Sequence, residues 1–283
     1  MFQRISAFFL CLWQCLMGAL SITRPPLRDI VYAAQSERQK MDIYLPWKKG
    51  GVDVVLLIHG GGWWEGDKSS YAGACKEYAR QGYAAAALNY RFITAQPPEQ
   101  QAVGYADMLD DIDAAVAALQ AKLLEEGYTP RKMAVTGQSA GGHLALLYGY
   151  SRAAQSAIPV AFLFSDVGPS DFTDPGYQDI ANGPAIVEQG FRLAGSSASD
   201  LRGPSPIFYV NSDSLPTLMR YGALDDLVPP SQGARLKEAL DAAGVRNDLI
   251  VYPGSGHIVD TQKDAAAHAL YSAKLQEYFD TYF

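Results

Sequence analysis

Short apolar runs recur along this chain, separated by stretches long enough to hold a helix. Val54–Ile58, Tyr83–Leu88, Met133–Thr136, Val160–Phe164, Thr217–Tyr221 and Asp248–Tyr252 are mostly continuous rather than alternating, as expected of strands buried on both faces. Met41–Leu45 reads as an earlier strand of the edge type. Between them the clearest helix is Tyr105–Glu125, where Met108, Ile112, Val116, Leu119 and Leu123 recur every three or four residues. Ser231–Ala243 predicts another, opened by a Ser N-cap and closed by Gly244, and Lys263 to about Phe279 a third. Strands alternating with helices of this length need crossover connections. The pattern therefore predicts an α/β fold, a mostly parallel central sheet with helices on both faces. No linker divides it. The least regular stretch, Asp166–Ser205, is rich in Gly, Pro, Ser and Asp and predicts an excursion over the C-terminal edge of the sheet, at most a small cap. In open α/β sheets that edge is where ligands bind.

Composition narrows the partners. With 48% apolar and 19% charged residues over 283 positions, the chain has the profile of a globular protein near the upper size limit for one core. A net charge of −7 and the lack of a basic stripe argue against nucleic acid and other polyanions, leaving small or neutral substrates. Residues 1–21 differ from the rest: Arg4 precedes an apolar run from Ile5 to Leu20, and Ala19-Leu20-Ser21 fits a small-x-small cleavage site. This predicts a signal peptide and export to the periplasm or medium, with 22–283 as the working domain; the alternative is an N-terminal hydrophobic segment of a cytoplasmic protein. The run is too short, and too interrupted by Gln14, for a stable membrane span. Cys11 and Cys15 lie inside that segment, so cleavage would leave Cys75 alone with no internal disulfide. Its helical spacing with Tyr71, Tyr78 and Ala79 places Cys75 in the core.

The chemistry sits where strands end. Strand Met133–Thr136 runs into Gly137-Gln138-Ser139-Ala140-Gly141-Gly142 and then a helical run, His143–Tyr148. Glycines two before and two after a serine let the backbone turn sharply and lift the hydroxyl clear of the sheet, which makes Ser139 the candidate nucleophile. His59-Gly60-Gly61-Gly62-Trp63 follows strand Val54–Ile58. Its glycines leave backbone N–H groups free to meet a tetrahedral oxyanion, and Gly61, Gly62 and Ala140 are the candidate donors. The loop lacks the lysine and spacing of a phosphate-binding loop. A serine hydroxyl needs a histidine to take its proton and a carboxylate to hold that histidine. Of the four histidines, His59 belongs to the glycine loop, His143 to the helix after the serine and His268 to the C-terminal helix. His257, in the loop Pro253–His257 after the last strand, is left as the base. Asp225, beyond strand Thr217–Tyr221, is the favoured acid, with its neighbour Asp226 competing. No Cys/His or carboxylate cluster calls for a metal, and no cofactor is needed.

With these pieces in order, the chain resembles the α/β-hydrolase superfamily, and within it carboxylesterases carrying a His-Gly-Gly-Gly-Trp motif. It looks closest to the branch of bacterial feruloyl and acetyl-xylan esterases and hormone-sensitive-lipase-like esterases. The resemblance runs from Met41 to the C-terminus through Met41–Pro46, His59–Trp63 with Gly66-Asp67-Lys68, Asn89-Tyr90-Arg91, the serine turn, Ser205-Pro206, Gly222–Pro229 and Gly256-His257. It implies hydrolysis of a small-molecule or saccharide ester through an acyl-enzyme, with the chain order Ser139, Asp225, His257 usual for the fold. The short Asp166–Ser205 segment is unlike the long helical caps of lipase-like relatives, and implies an open cleft that Trp63, Trp64, Phe92 and Tyr177 are placed to line. Kynurenine formamidases share the Asp67-Lys68 loop and a similar serine turn, but differ at Gly62 and Gln138, so amide chemistry is the alternative. Non-catalytic receptors on this scaffold typically lose the histidine that His257 supplies here.

Overall fold

Each run read above as a strand, from Met41–Leu45 to Asp248–Tyr252, joins one eight-stranded sheet in the computed structural model, which describes residues 23–195 and 200–283. The strands are β1 Leu27–Val31, β2 Lys40–Tyr44, β3 Gly50–Ile58, β4 Ala84–Leu88, β5 Tyr128–Gln138, β6 Val160–Asp166, β7 Thr217–Gly222 and β8 Asn247–Tyr252, in the spatial order β1-β2-β4-β3-β5-β6-β7-β8. From β4 to β8 all neighbours are parallel, while β2 is antiparallel to both β1 and β4. Met41–Leu45 is therefore an internal strand. The edge belongs to β1, whose polar Arg28 and Asp29 and interrupted register hide it from an apolar-run reading. The proposed signal peptide, residues 1–21, lies outside the described residues.

Both faces of the sheet are covered, as continuous strands demand. On β3, Val54, Leu56 and Ile58 face one cluster and Val55 and Leu57 the other. Helices α2 (Tyr105–Glu125), α3 (Ala140–Ser151) and α5 (Ser231–Ala242) fill the first face; α1 (Ala72–Arg80) and α6 (Ala265–Tyr282) fill the second. Fully buried Ile112, Val116, Leu119 and Leu123 of α2 each contribute about 1.5–3 kcal/mol of apolar burial. Cys75 lies on α1 with no exposed surface, and burial pushes its thiol up to about 12, so it packs as a small apolar group.

One further local expectation is corrected. Ser231 is the first residue of α5 rather than its N-cap; Pro230 holds the cap position, and the Ser231 hydroxyl donates to Asp174 at 2.7 Å instead. The irregular stretch after β6 contains a 3₁₀ turn, Pro175–Gln178, and a helix, α4 (Gly183–Ala194). This cap is latched to the body by the fully buried Gln232. Its side-chain oxygen accepts from the amides of Ser170 and Asp171 at 2.8 Å each, and its nitrogen donates to Asp174 at 2.8 Å. Among the described residues no helix is long and apolar enough to cross a membrane.

Candidate active site

Parallel strands β3, β5, β7 and β8 all point their C-terminal ends to one edge, and each delivers one part of the site there. At the end of β5 the chain turns through Ser139 with φ +55 and ψ −122, then enters α3 directly. This turn explains the glycine spacing. A Cβ on Gly141 would stand 1.9 Å from the Ile58 carbonyl oxygen, and one on Gly137 would stand 2.4 Å from the Gly141 backbone. Ser139 N–H donates to the Asp166 carbonyl of neighbouring β6 at 2.8 Å, which anchors the strained residue to the sheet.

The loop after β8 brings His257 over this serine. Its Nε2 lies 2.8 Å from Ser139 Oγ, and its Nδ1 lies 2.8 Å from Asp225 Oδ2. A carboxylate only accepts, so the ring proton sits on Nδ1 and the Nε2 lone pair faces the serine hydroxyl. Asp225 is 3% exposed, and its second oxygen accepts from the amides of Leu227 and Val228 at 2.9 Å each. The competing Asp226 points elsewhere: its carboxylate and carbonyl accept from Asn182 of the cap at 2.9 Å. Of the two neighbouring carboxylates, the one that is buried and meets His257 is Asp225.

Against the serine turn lies the glycine loop. Gly61, Gly62 and Trp63 all take positive φ, +115, +56 and +66. A side chain on Gly61 would put its Cβ 2.3 Å from the Glu65 carbonyl oxygen. The loop rests on the serine turn, since a Cβ on Gly60 would stand 3.4 Å from Ser139 Cβ. Among the described residues the amides of Gly61, Gly62 and Ala140 donate to no protein acceptor. Ala140 also opens α3, where unpaired N–H groups and the helix dipole favour negative charge. The motifs around the loop form its scaffold. Asn89 accepts from the Lys68 amide at 2.6 Å and donates to Asp67 at 2.7 Å, while Lys68 Nζ meets Asp42 at 2.7 Å.

The aromatic candidates divide. Trp64 is 47% exposed on the loop. Phe92 is half-buried with one face covered by the Arg38 guanidinium 3.6 Å from its centroid. Trp63 and Tyr177 do not line the cleft: both are buried, Trp63 with its indole N–H on His143 Nδ1 at 3.1 Å. An aromatic residue beside a glycine turn gives no sign in the sequence of whether it points outward or into the core. His268 is half-buried, with Nδ1 3.4 Å from the Tyr252 hydroxyl.

His59 and His143 take structural positions. Burial pushes each imidazole down to about 4 from its ordinary 6.5. Unfolded, both would take up a proton near pH 6.5; folded, only near pH 4. Between those values the unfolded chain binds more protons, so stability is complete above pH 6.5 and declines as pH falls toward 4. The expected loss at pH 5 is on the order of 2 kcal/mol per histidine. Urea midpoints measured at pH 7 and pH 5 check this; equal midpoints would contradict it.

Comparison with known proteins fits this geometry. The BD-FAE family model matches residues 41–240. The chain belongs to the BD-FAE family. It is an α/β hydrolase, and solved structures share its fold. A truncated carbohydrate esterase from gut microbiota superposes with a TM-score of 0.71 at 22% identity, covering 89% of this chain and 96% of that one. Esterase B from Lactobacillus rhamnosis, in an inhibited form, gives 0.74 at 19% identity, covering 99% and 96%. Among sequence relatives, the acylamino-acid-releasing enzyme of Rattus norvegicus is 29% identical over 80% of this chain and 31% of its own length. A probable carboxylic ester hydrolase, LipM, of Mycobacterium tuberculosis is 27% identical over 85% and 58%. The chain thus spans only part of these longer proteins.

Proposed function

We infer that this chain is a serine carboxylesterase working through an acyl-enzyme. The observation that carries the reading is the relay Asp225–His257–Ser139, with both contacts at 2.8 Å. Ser139 Oγ attacks the ester carbonyl as its proton passes to His257 Nε2. Asp225 holds the ring and stabilises the imidazolium without taking the proton. The oxyanion meets the amides of Gly61, Gly62 and Ala140, each worth roughly 3 kcal/mol in the transition state. His257 then protonates the departing alcohol, and a water molecule repeats the sequence to release the acid. Relatives and structural neighbours named as esterases support this reading.

The substrate is a short-chain, aromatic or carbohydrate-linked ester. Among the described residues the cap holds one helix and a 3₁₀ turn, and Trp64, Leu224 and Ile258 are exposed on the glycine loop and beside Asp225 and His257. Such a site offers flat apolar contacts rather than a deep tunnel for a long acyl chain. A panel of p-nitrophenyl acetate, p-nitrophenyl palmitate, methyl ferulate, acetylated xylan and N-formylkynurenine tests the class. Turnover of the acetyl or feruloyl esters, with little on palmitate, is expected. Preference for N-formylkynurenine would move the reading to formamide hydrolysis. Export depends on residues 1–21 acting as a signal peptide, which N-terminal sequencing of the mature protein reads directly.

A further inference from the structure

The backbone of the glycine loop needs a restraint from outside itself. Three successive residues, Gly61, Gly62 and Trp63, have positive φ. For a residue as bulky as tryptophan this costs about 1–3 kcal/mol, and it persists only where surrounding contacts over-determine it. Trp63 is held at both ends. Its carbonyl accepts from the Ile93 amide at 3.1 Å, and its indole, 1% exposed, donates to His143 Nδ1 at 3.1 Å. His143 lies one turn beyond the nucleophile on α3, its own amide bonded to the Ser139 carbonyl at 2.9 Å.

The hydrogen bonding is self-consistent. An indole nitrogen can only donate, so His143 Nδ1 accepts and the ring proton sits on Nε2. There it meets the Pro204 carbonyl at 2.6 Å. Both partners select the same neutral tautomer. Phe172 packs against both rings, at 5.8 Å from Trp63 and 5.3 Å from His143. The result is a buried bridge from the glycine loop to the first turn after Ser139.

We propose that Trp63 and His143 are positioning residues that fix the Gly61 and Gly62 amides relative to Ser139 Oγ, a role that rests on the esterase reading above. Oxyanion donors act only when preplaced where charge develops. Negative charge appears on the carbonyl oxygen after attack, so loosening the bridge weakens transition-state binding and leaves ground-state binding largely intact.

Trp63→Phe, which keeps an aromatic ring and removes the N–H, should lower kcat about 10- to 100-fold with KM changed less than about threefold. His143→Leu should behave alike. His143→Asn, whose amide oxygen stands near the Nδ1 position, should recover most of that loss. Trp63→Phe combined with His143→Leu should be no worse than the poorer single variant. An unchanged kcat in Trp63→Phe, or an Asn variant no better than Leu, would overturn the proposal; should Trp63→Phe not fold, the Leu–Asn comparison decides. Amide hydrogen exchange of residues 59–66 in the substrate-free protein gives a readout that needs no turnover. Faster exchange in Trp63→Phe than in wild type supports the bridge, and equal exchange refutes it. A wild-type protein inert toward every ester would overturn the esterase reading alone, and exchange would still settle the role of Trp63 and His143.

Discussion

Ser139→Ala should lower kcat for p-nitrophenyl acetate by about 10⁴- to 10⁶-fold, to a residue of catalysis supplied by the oxyanion donors and binding alone. The fold should survive, because Ser139 is held through its backbone: its amide donates to Asp166 and its carbonyl accepts from His143. The side chain's polar contact is His257. His257→Ala should cost a comparable factor, and the double variant little more, because nucleophile and base act as one unit. Steady-state kinetics on the three variants, corrected for spontaneous hydrolysis, check this. Appreciable turnover in Ser139→Ala would require another nucleophile.

Asp225→Asn should lower kcat/KM by about 10⁴-fold. The existing bonds explain why. Asp225 Oδ1 is committed to the amides of Leu227 and Val228, so an asparagine there keeps its oxygen on those donors and turns its NH₂ toward His257 Nδ1. The imidazole must then accept at Nδ1 and carry its proton on Nε2, aimed at Ser139, where it cannot act as a base. Asp226→Asn is the control. That carboxylate contacts Asn182 of the cap, so kcat/KM should stay within about threefold of wild type, the usual range for an exposed substitution away from the chemistry. Equal losses in the two variants would mean that His257 is oriented some other way.

The strands that build the site were readable because burial on both faces leaves no polar alternation, and β3, β5 and β7 carry that signature. β1 escaped because an edge strand needs only one neighbour and tolerates Arg28 and the positive-φ Asp29. The same omission made Met41–Leu45 look like the edge. Helix α4 was hidden by its Asn-Gly-Pro entry within a Gly- and Pro-rich stretch, although its packing on the body holds it helical. At the site, Ser139, His257 and Asp225 could be named from strand-end motifs, since each motif fixes a backbone shape as well as a residue type. Choosing between Asp225 and Asp226 took the geometry, because adjacent residues in a turn point in different directions for reasons that lie in distant segments such as Asn182. Trp63 read as a cleft residue for the same reason. Its partner His143 is 80 residues away, and nothing local announces the contact.

The most direct test of the account is covalent. Wild-type protein treated with a fluorophosphonate should gain one phosphonyl group by intact mass, mapped by peptide sequencing to Ser139, and the labelling rate should fall sharply in His257→Ala. Labelling that maps elsewhere, or an unlabelled protein that still hydrolyses esters, would contradict it.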